Sequence, residues 1–295
     1  MLISSLRAIN WLASYPKSGN TWVRFFLQRY LTGNSDINAG FRIVPSDSVD
    51  SIHQMASPIP LPMLSPRDIL LFRPAALVNL ISTRIKLPVI VKTHNANTQV
   101  GAIGLIPQDL TRKSVYLIRD PRDVAISYSH HMGVDLDKAI DIMADENHVT
   151  LSPEGVPDVR MSWSSHVSSW EKIAPVFRYE DLLSDPVGQF SKILEEYEIP
   201  VDADLVAESV RDVSVDRLAA QERSEGFIER ENGEFFTRGG GSRWKSEMTA
   251  EQAQRIEDSH RDVMEKYGYA DTEAVGRAVD GTNASPDPDG QEVAA

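Results

Sequence analysis

Cysteine is absent from this 295-residue chain. That excludes disulfides, thiolate catalysis and zinc–thiolate sites together, so any activity rests on other chemistry. An excess of positive charge is missing too: the formal net charge is −13 at pH 7. Such a balance argues against binding to nucleic acid or to an anionic membrane, since both rely on a basic surface. No apolar run is long enough to span a bilayer, and the first residues lack the basic region, apolar core and small-residue cleavage site of a secretory signal. A cytoplasmic enzyme is the expectation. Metal-ligand spacing is lacking as well, because the adjacent pair His130 and His131 would point to different sides of a helix. What the chain does have is 41% hydrophobic residues, enough for a sizeable core.

Residues 11–22, WLASYPKSGNTW, read as a buried strand, an anion-binding turn and a helix in succession. Residues 8–13 are mostly apolar, Pro16 and Gly19 punctuate the run, and Trp22, Val23, Phe26, Leu27, Tyr30 and Leu31 then repeat at helical spacing. The first N–H groups of a helix lack partners within it and the macrodipole is positive there, so a phosphate or sulfate is held without a metal. Gly19 allows close approach, Lys17 adds a full charge, and Ser18 and Thr21 add hydroxyl donors. Taken alone, the segment would also suit a capped helix with a surface lysine, since its spacing differs from the Walker pattern.

Two further β-branched runs, 87–93 and 114–119, end in polar residues and read as buried parallel strands. Helices are expected over 70–81 and 121–131, with Pro121 at the first helical position, and over 186–197, 202–211, 214–223 and 249–267. A short strand is expected at 175–179. The alternation predicts an α/β sandwich with a central parallel sheet flanked by helices. Ligands of such sheets collect beyond the carboxyl ends of the strands, which puts Lys17, His94 and Arg119 on one edge.

Each of those strand ends carries chemistry. Lys92 and His94 lie two residues apart on the same side of the pleat, a charge stabiliser beside an imidazole suited to taking a hydroxyl proton near neutral pH. A hydrogen-bonded histidine at a strand terminus is the plainer reading of that pair. Arg119 ends the next strand, and Ser127 follows two helical turns later, a spacing that can grip a second phosphate. Asp120, Arg122 and Asp123 between them read as capping and surface charges. Near the carboxyl end, residues 238–245, RGGGSRWK, interleave glycines with basic residues, so backbone amides can approach an anion; a flexible surface loop is the alternative.

Together these four elements, spanning roughly residues 11–248, resemble the sulfotransferases that use 3′-phosphoadenosine 5′-phosphosulfate (PAPS), and the cytosolic type more than the membrane-anchored carbohydrate type. The resemblance implies a P-loop-NTPase-like sulfotransferase fold and sulfuryl transfer to a hydroxyl of a small-molecule, natural-product or glycoside acceptor, with no metal. It further implies that His94 is the general base and that Lys17 and Lys92 stabilise charge. Lys17, Ser18, Gly19, Asn20, Thr21 and Trp22 would form the 5′-phosphosulfate loop; Arg119, Ser127, Arg238 and Gly239 would bind the 3′-phosphate; Trp22, Tyr179 and Ser214 would meet the adenine. Asn20 stands where the family often has threonine, and Arg238-Gly-Gly replaces arginine-lysine-glycine. Ala250 and Gln254 depart from the family's short dimer motif, which leaves the oligomeric state open. A nucleotide kinase would need a Walker lysine and an acidic magnesium ligand at a strand end, and neither occurs; a noncatalytic nucleotide- or partner-binding protein of the same fold would not need both Lys17 and His94.

A single domain over 1–271 is expected. Residues 37–66 and 132–159 read as mobile loops over the site, and 272–295 as a disordered tail. Trp163, Trp170, Phe41 and Met55 are candidates for an apolar acceptor pocket, although core packing suits each of them as well.

Overall fold

A computed structural model of the chain describes residues 7–38, 43–82, 88–227 and 242–270. Within them, strands β1 (Ile9–Ser14), β2 (Val89–Thr93), β3 (Thr111–Ile118) and β4 (Val176–Arg178) form one parallel sheet in the order β2-β1-β3-β4. Every residue of β1 is buried, because helices cover both faces of the sheet; its sequence is therefore mostly apolar throughout instead of alternating. Ile9, Trp11 and Ala13 face one core with residues of the helices α2 (Arg73–Ser82), α3 (Pro121–Met132), α4 (Leu136–Ala144), α5 (Trp163–Trp170) and α9 (Ala250–Lys266). Leu12, Ile90, Val115 and Leu117 face the other, with α1 (Asn20–Thr32), α6 (Pro186–Glu196), α7 (Ala203–Asp212) and α8 (Val215–Glu225).

From β2 the chain crosses to β3 on the opposite side of β1, so the strand order reverses there and a crevice opens beyond the carboxyl end of β1. Register aligns the three strand ends: Ala13 pairs with Thr93, and Ser14 with Leu117. The residues that follow, Tyr15 to Lys17, His94 and Arg119, thus emerge on one rim. Ile118 pairs with Arg178, which brings Tyr179 beside Arg119.

The helix expected over 70–81 is broken into Pro66–Leu71 and α2. Pro74 lacks the N–H that would bond the carbonyl of Leu70, and its ring crowds that carbonyl. The described parts of 37–66 and 132–159, candidates for mobile loops by composition, contain regular elements. The first contains a helix at Asp50–Ala56, and the second contains α4 and a hairpin pairing Val149–Leu151 with Pro157–Val159. Their polar residues serve as caps and cross-links: Asp135 accepts from the Lys138 amide, and Ser48 and Ser152 donate to Asp158 and Asp50. Leu61, Ile69 and Val156 form a small core that ties the two segments together. The expected tail, Phe41, Arg238 and Gly239 lie outside the described residues.

Candidate active site

Lys17 adopts φ +67° and Gly19 φ +94°, a tight turn that delivers the chain into α1. Among the described residues no side chain caps that helix; the Trp22 amide donates to the Gly19 carbonyl at 3.0 Å, and the amides of Asn20 and Thr21 ahead of it have no intrahelical acceptor. The Ser18 hydroxyl and the Asn20 amide oxygen are buried without a hydrogen-bond partner among the described residues. An isolated buried polar atom is costly, and an anion held at the helix start would accept from the Ser18 hydroxyl; the Asn20 oxygen, an acceptor, is not satisfied that way. Gly19 is required on two counts: its φ is left-handed, and a Cβ there would stand 2.6 Å from Cδ2 of Tyr179.

Arg119 secures this turn from the neighbouring strand. Its Nη1 donates to the carbonyl of Lys17 at 3.2 Å, and its guanidinium lies 4.6 Å above the Tyr179 ring. Its Nε has no partner among the described residues and is buried. Tyr179 in turn meets Trp22 edge-on at 6.2 Å. The Trp22 indole N–H donates to the Val213 carbonyl at 2.8 Å, and Trp22 and Ser214 line a cleft of about 540 Å³ with Leu183, Pro186 and Val210. Thr21 lies in the first turn of α1, and Ser127 is half-buried on α3.

Asp120, Arg122 and Asp123, read from the sequence as capping and surface charges, are all buried. Asp120 caps α3 through the Arg122 amide, Arg122 reaches Asp120, Glu257 and the Tyr269 carbonyl, and its guanidinium stacks on Trp244 at 3.7 Å. The buried Asp123 carboxylate accepts from the amides of Ser242 at 2.8 Å and Trp244 at 3.0 Å. The charges of this motif are buried because they tie the segment after the glycine run to the strand end.

On the β2 side, Lys92 and His94 are partly exposed while Val91, Thr93 and Asn95 are buried, as the pleat requires. His94 Nδ1 lies 2.8 Å from the Ser14 carbonyl and 3.3 Å from the Ser14 hydroxyl. A carbonyl can only accept, so Nδ1 carries the proton and Nε2 is left with a lone pair. Burial pushes this imidazole well below its ordinary pKa, and the charges of Lys92 and Arg160 push in the same direction; the bond to Ser14 opposes them. His94 is therefore neutral at pH 7.

Several groups around His94 carry no obvious signal in the sequence. His166, buried, faces the His94 carbonyl at 3.1 Å and the Tyr116 hydroxyl at 2.8 Å, and burial lowers it to about 4. The buried Tyr15 packs edge-on against Tyr128 and His166. Asp158 and Arg160 come from the end of the hairpin; their two-residue spacing on a short strand is the one clue that they share a face. Trp163 and Trp170 are fully buried in the core, and Met55 is largely exposed, so none of these three lines the rim near His94.

With this geometry established, comparison with known proteins is informative. The family described as "Sulfotransferase domain" matches residues 10–268. The chain is 25% identical to Sulfotransferase 1A1 of Canis lupus familiaris, over 88% of this chain and 84% of the relative. It is 22% identical to Flavonol 3-sulfotransferase of Flaveria bidentis, over 83% and 78%. Retinol dehydratase, solved in a complex with retinol and PAP, superposes with a TM-score of 0.61 at 20% identity, covering 88% of this chain and 81% of that one. The chain belongs to the sulfotransferase family and has its fold. It is an enzyme of sulfuryl transfer.

Proposed function

We propose that this enzyme transfers a sulfuryl group from PAPS to a hydroxyl of a small-molecule acceptor, with His94 as general base. The observation that carries the reading is the 2.8 Å contact from His94 Nδ1 to the Ser14 carbonyl, because it fixes the tautomer whose Nε2 can accept a proton beside the Lys17 turn. Support for the donor comes from the amides of Asn20 and Thr21 at the start of α1, the partnerless Ser18 hydroxyl and the buried Arg119 Nε, which together fit a nucleotide with two separate phosphates. The retinol dehydratase neighbour was solved with PAP, the nucleotide such a donor leaves behind.

In this mechanism, His94 Nε2 takes the acceptor hydroxyl proton as the acceptor oxygen bonds to sulfur. The bond from sulfur to the bridging oxygen breaks, and the electron pair departs with the 5′-phosphate. Lys17 follows the charge growing on that bridging oxygen, Lys92 stabilises the transferring group, and the amides of residues 18–21 hold the leaving phosphate. Arg119 and Ser127, with Arg238 and Gly239 closing from the glycine run, grip the 3′-phosphate. Trp22, Tyr179 and Ser214 hold the adenine in the cleft they adjoin. Asn20, whose side-chain NH2 donates to the Leu12 carbonyl and the Ser14 hydroxyl, contributes its backbone amide to the loop where the family often has threonine. The test is transfer of label from [³⁵S]PAPS to a mixed panel of phenols and alcohols. Binding of PAP with no turnover would leave a nucleotide-binding protein, and consumption of ATP in its place would leave a kinase.

A further inference from the structure

Arg160 is the most under-used buried charge near the base. Its side chain is only 12% exposed, yet among the described residues its guanidinium makes a single hydrogen bond, from Nη1 to the Tyr128 hydroxyl at 2.6 Å. The nearest carboxylate oxygen, on Asp158, is 3.6 Å from Nη2, too far for a hydrogen bond, and the other oxygen of Asp158 is already taken by Ser48 and Asn95. Among the described residues Arg160 Nε is buried with no partner, and so is the hydroxyl of Tyr15, whose ring packs edge-on against Tyr128. A guanidinium removed from water normally fills its fork of donors; this one has its ion pair with Asp158 at 3.6 Å but leaves the fork part-filled.

We infer that Arg160 is the specificity determinant of the acceptor site: it receives a carboxylate on the acceptor, while the acceptor's own hydroxyl faces His94. The inference rests on the sulfotransferase reading and adds the acceptor's chemical class to it. A planar carboxylate matches the guanidinium fork and fills the donors that the protein leaves open. The net charge of −13 means that an acidic acceptor gains nothing from the protein's overall field, so its recognition depends on local cations such as Arg160 and Lys92.

The decisive experiment is calorimetric binding to the full chain loaded with PAP. The probes are hydroxybenzoate, hydroxyphenylacetate and hydroxyphenylpropionate, each set against its methyl ester. At least one acid should bind about ten- to a hundredfold more tightly than its ester, the range expected for hydrogen bonds to a charged group. Arg160→Gln should erase that preference with PAP affinity unchanged, and Arg160→Lys should retain only part of it. Equal binding of every acid and ester by the wild-type protein overturns the inference, and this arm needs no variant to fold. Persistence of the preference in Arg160→Gln overturns it as well. Failure of the sulfotransferase reading looks different: PAP does not bind, or acids and esters alike go unsulfated, whatever their relative affinities.

Discussion

The two sides of the sheet rim are built by different means. Around β1, β3 and β4, the groups proposed to hold the donor come from contiguous segments: the turn through Lys17 to Thr21, and Arg119 at a strand end. Their function lies largely in backbone geometry, in a left-handed turn and a helix start. Around β2, His94 meets His166 through its carbonyl, and Tyr15, Tyr128, His148, Asp158 and Arg160 join that cluster by hydrogen bonds, ring contacts and an ion pair between separate segments. The first side is organised to hold charge that arrives, and the second to keep a neutral base beside a buried cation. Phosphate recognition can be encoded locally, whereas the wall facing an acceptor depends on how distant parts of the chain settle against each other.

Removing the base tests the second side most severely. His94→Ala is expected to lower turnover by about two to four powers of ten while leaving PAP affinity within about twofold, read by initial rates and calorimetry. A comparable fall in PAP affinity would show that the two sides are one unit. The acid limb of kcat should lie below pH 6.5, since His94 is held neutral by burial and by Lys92 and Arg160.

Acid should also weaken the fold through its buried imidazoles. His166 and His260 are held at about 4 by burial, against about 6.5 when unfolded. Above 6.5 neither state binds the proton, so there is no effect; below it the unfolded state gains protons that the folded state refuses until about pH 4. Stability is therefore present above 6.5 and lost as pH falls, by about 2 kcal/mol per histidine at pH 5. Urea midpoints at pH 7.5 and 5 measure this, and His260→Gln, remote from the rim, should remove its own share of the loss, about 2 kcal/mol, without touching catalysis. An unchanged midpoint would mean that these imidazoles titrate as freely in the fold as in the unfolded chain.

On the donor side the largest loss should come from Arg119→Ala. Its guanidinium holds the Lys17 carbonyl and covers Tyr179, so PAP affinity should fall about ten- to a hundredfold with kcat at saturating donor less affected. An intact affinity would remove Arg119 from the phosphate site and break the division between the two sides.

How far the sequence alone reveals this follows from the same division. The strands were readable because β-branched runs such as 89–93 are buried on both faces, and the helices because their apolar spacing and caps are local signals. Pro74 shows the limit of periodicity: the apolar spacing continues through it although the helix does not. Asp120, Arg122 and Asp123 read as capping and surface charges: the cap at Asp120 is a local signal, but nothing local announces that Trp244 and Glu257 return to bury the rest. Likewise the serines and acids of 43–66 and 132–159 look like loop residues until Ser48 meets Asp158 and Ser152 meets Asp50. Arg160 is the extreme case, since an arginine after a short hairpin carries no mark of its burial.

The smallest predicted effect is the sharpest probe of the donor side, because it changes no charge. Gly19→Ala forces an ordinary residue to φ +94° and sets its methyl group 2.6 Å from the Tyr179 ring. The backbone cost alone is about 1–2 kcal/mol. The ring can yield only by leaving its place beneath Arg119 and against Trp22, and either movement loosens the turn that presents the α1 amides. PAP affinity should therefore fall about tenfold and Tm by a few degrees, with the acid-over-ester preference at Arg160 unaltered. If Gly19→Ala instead leaves PAP affinity intact, the glycine serves only folding, and the donor cradle must be sought in side chains, on the same terms as the opposite side of the rim.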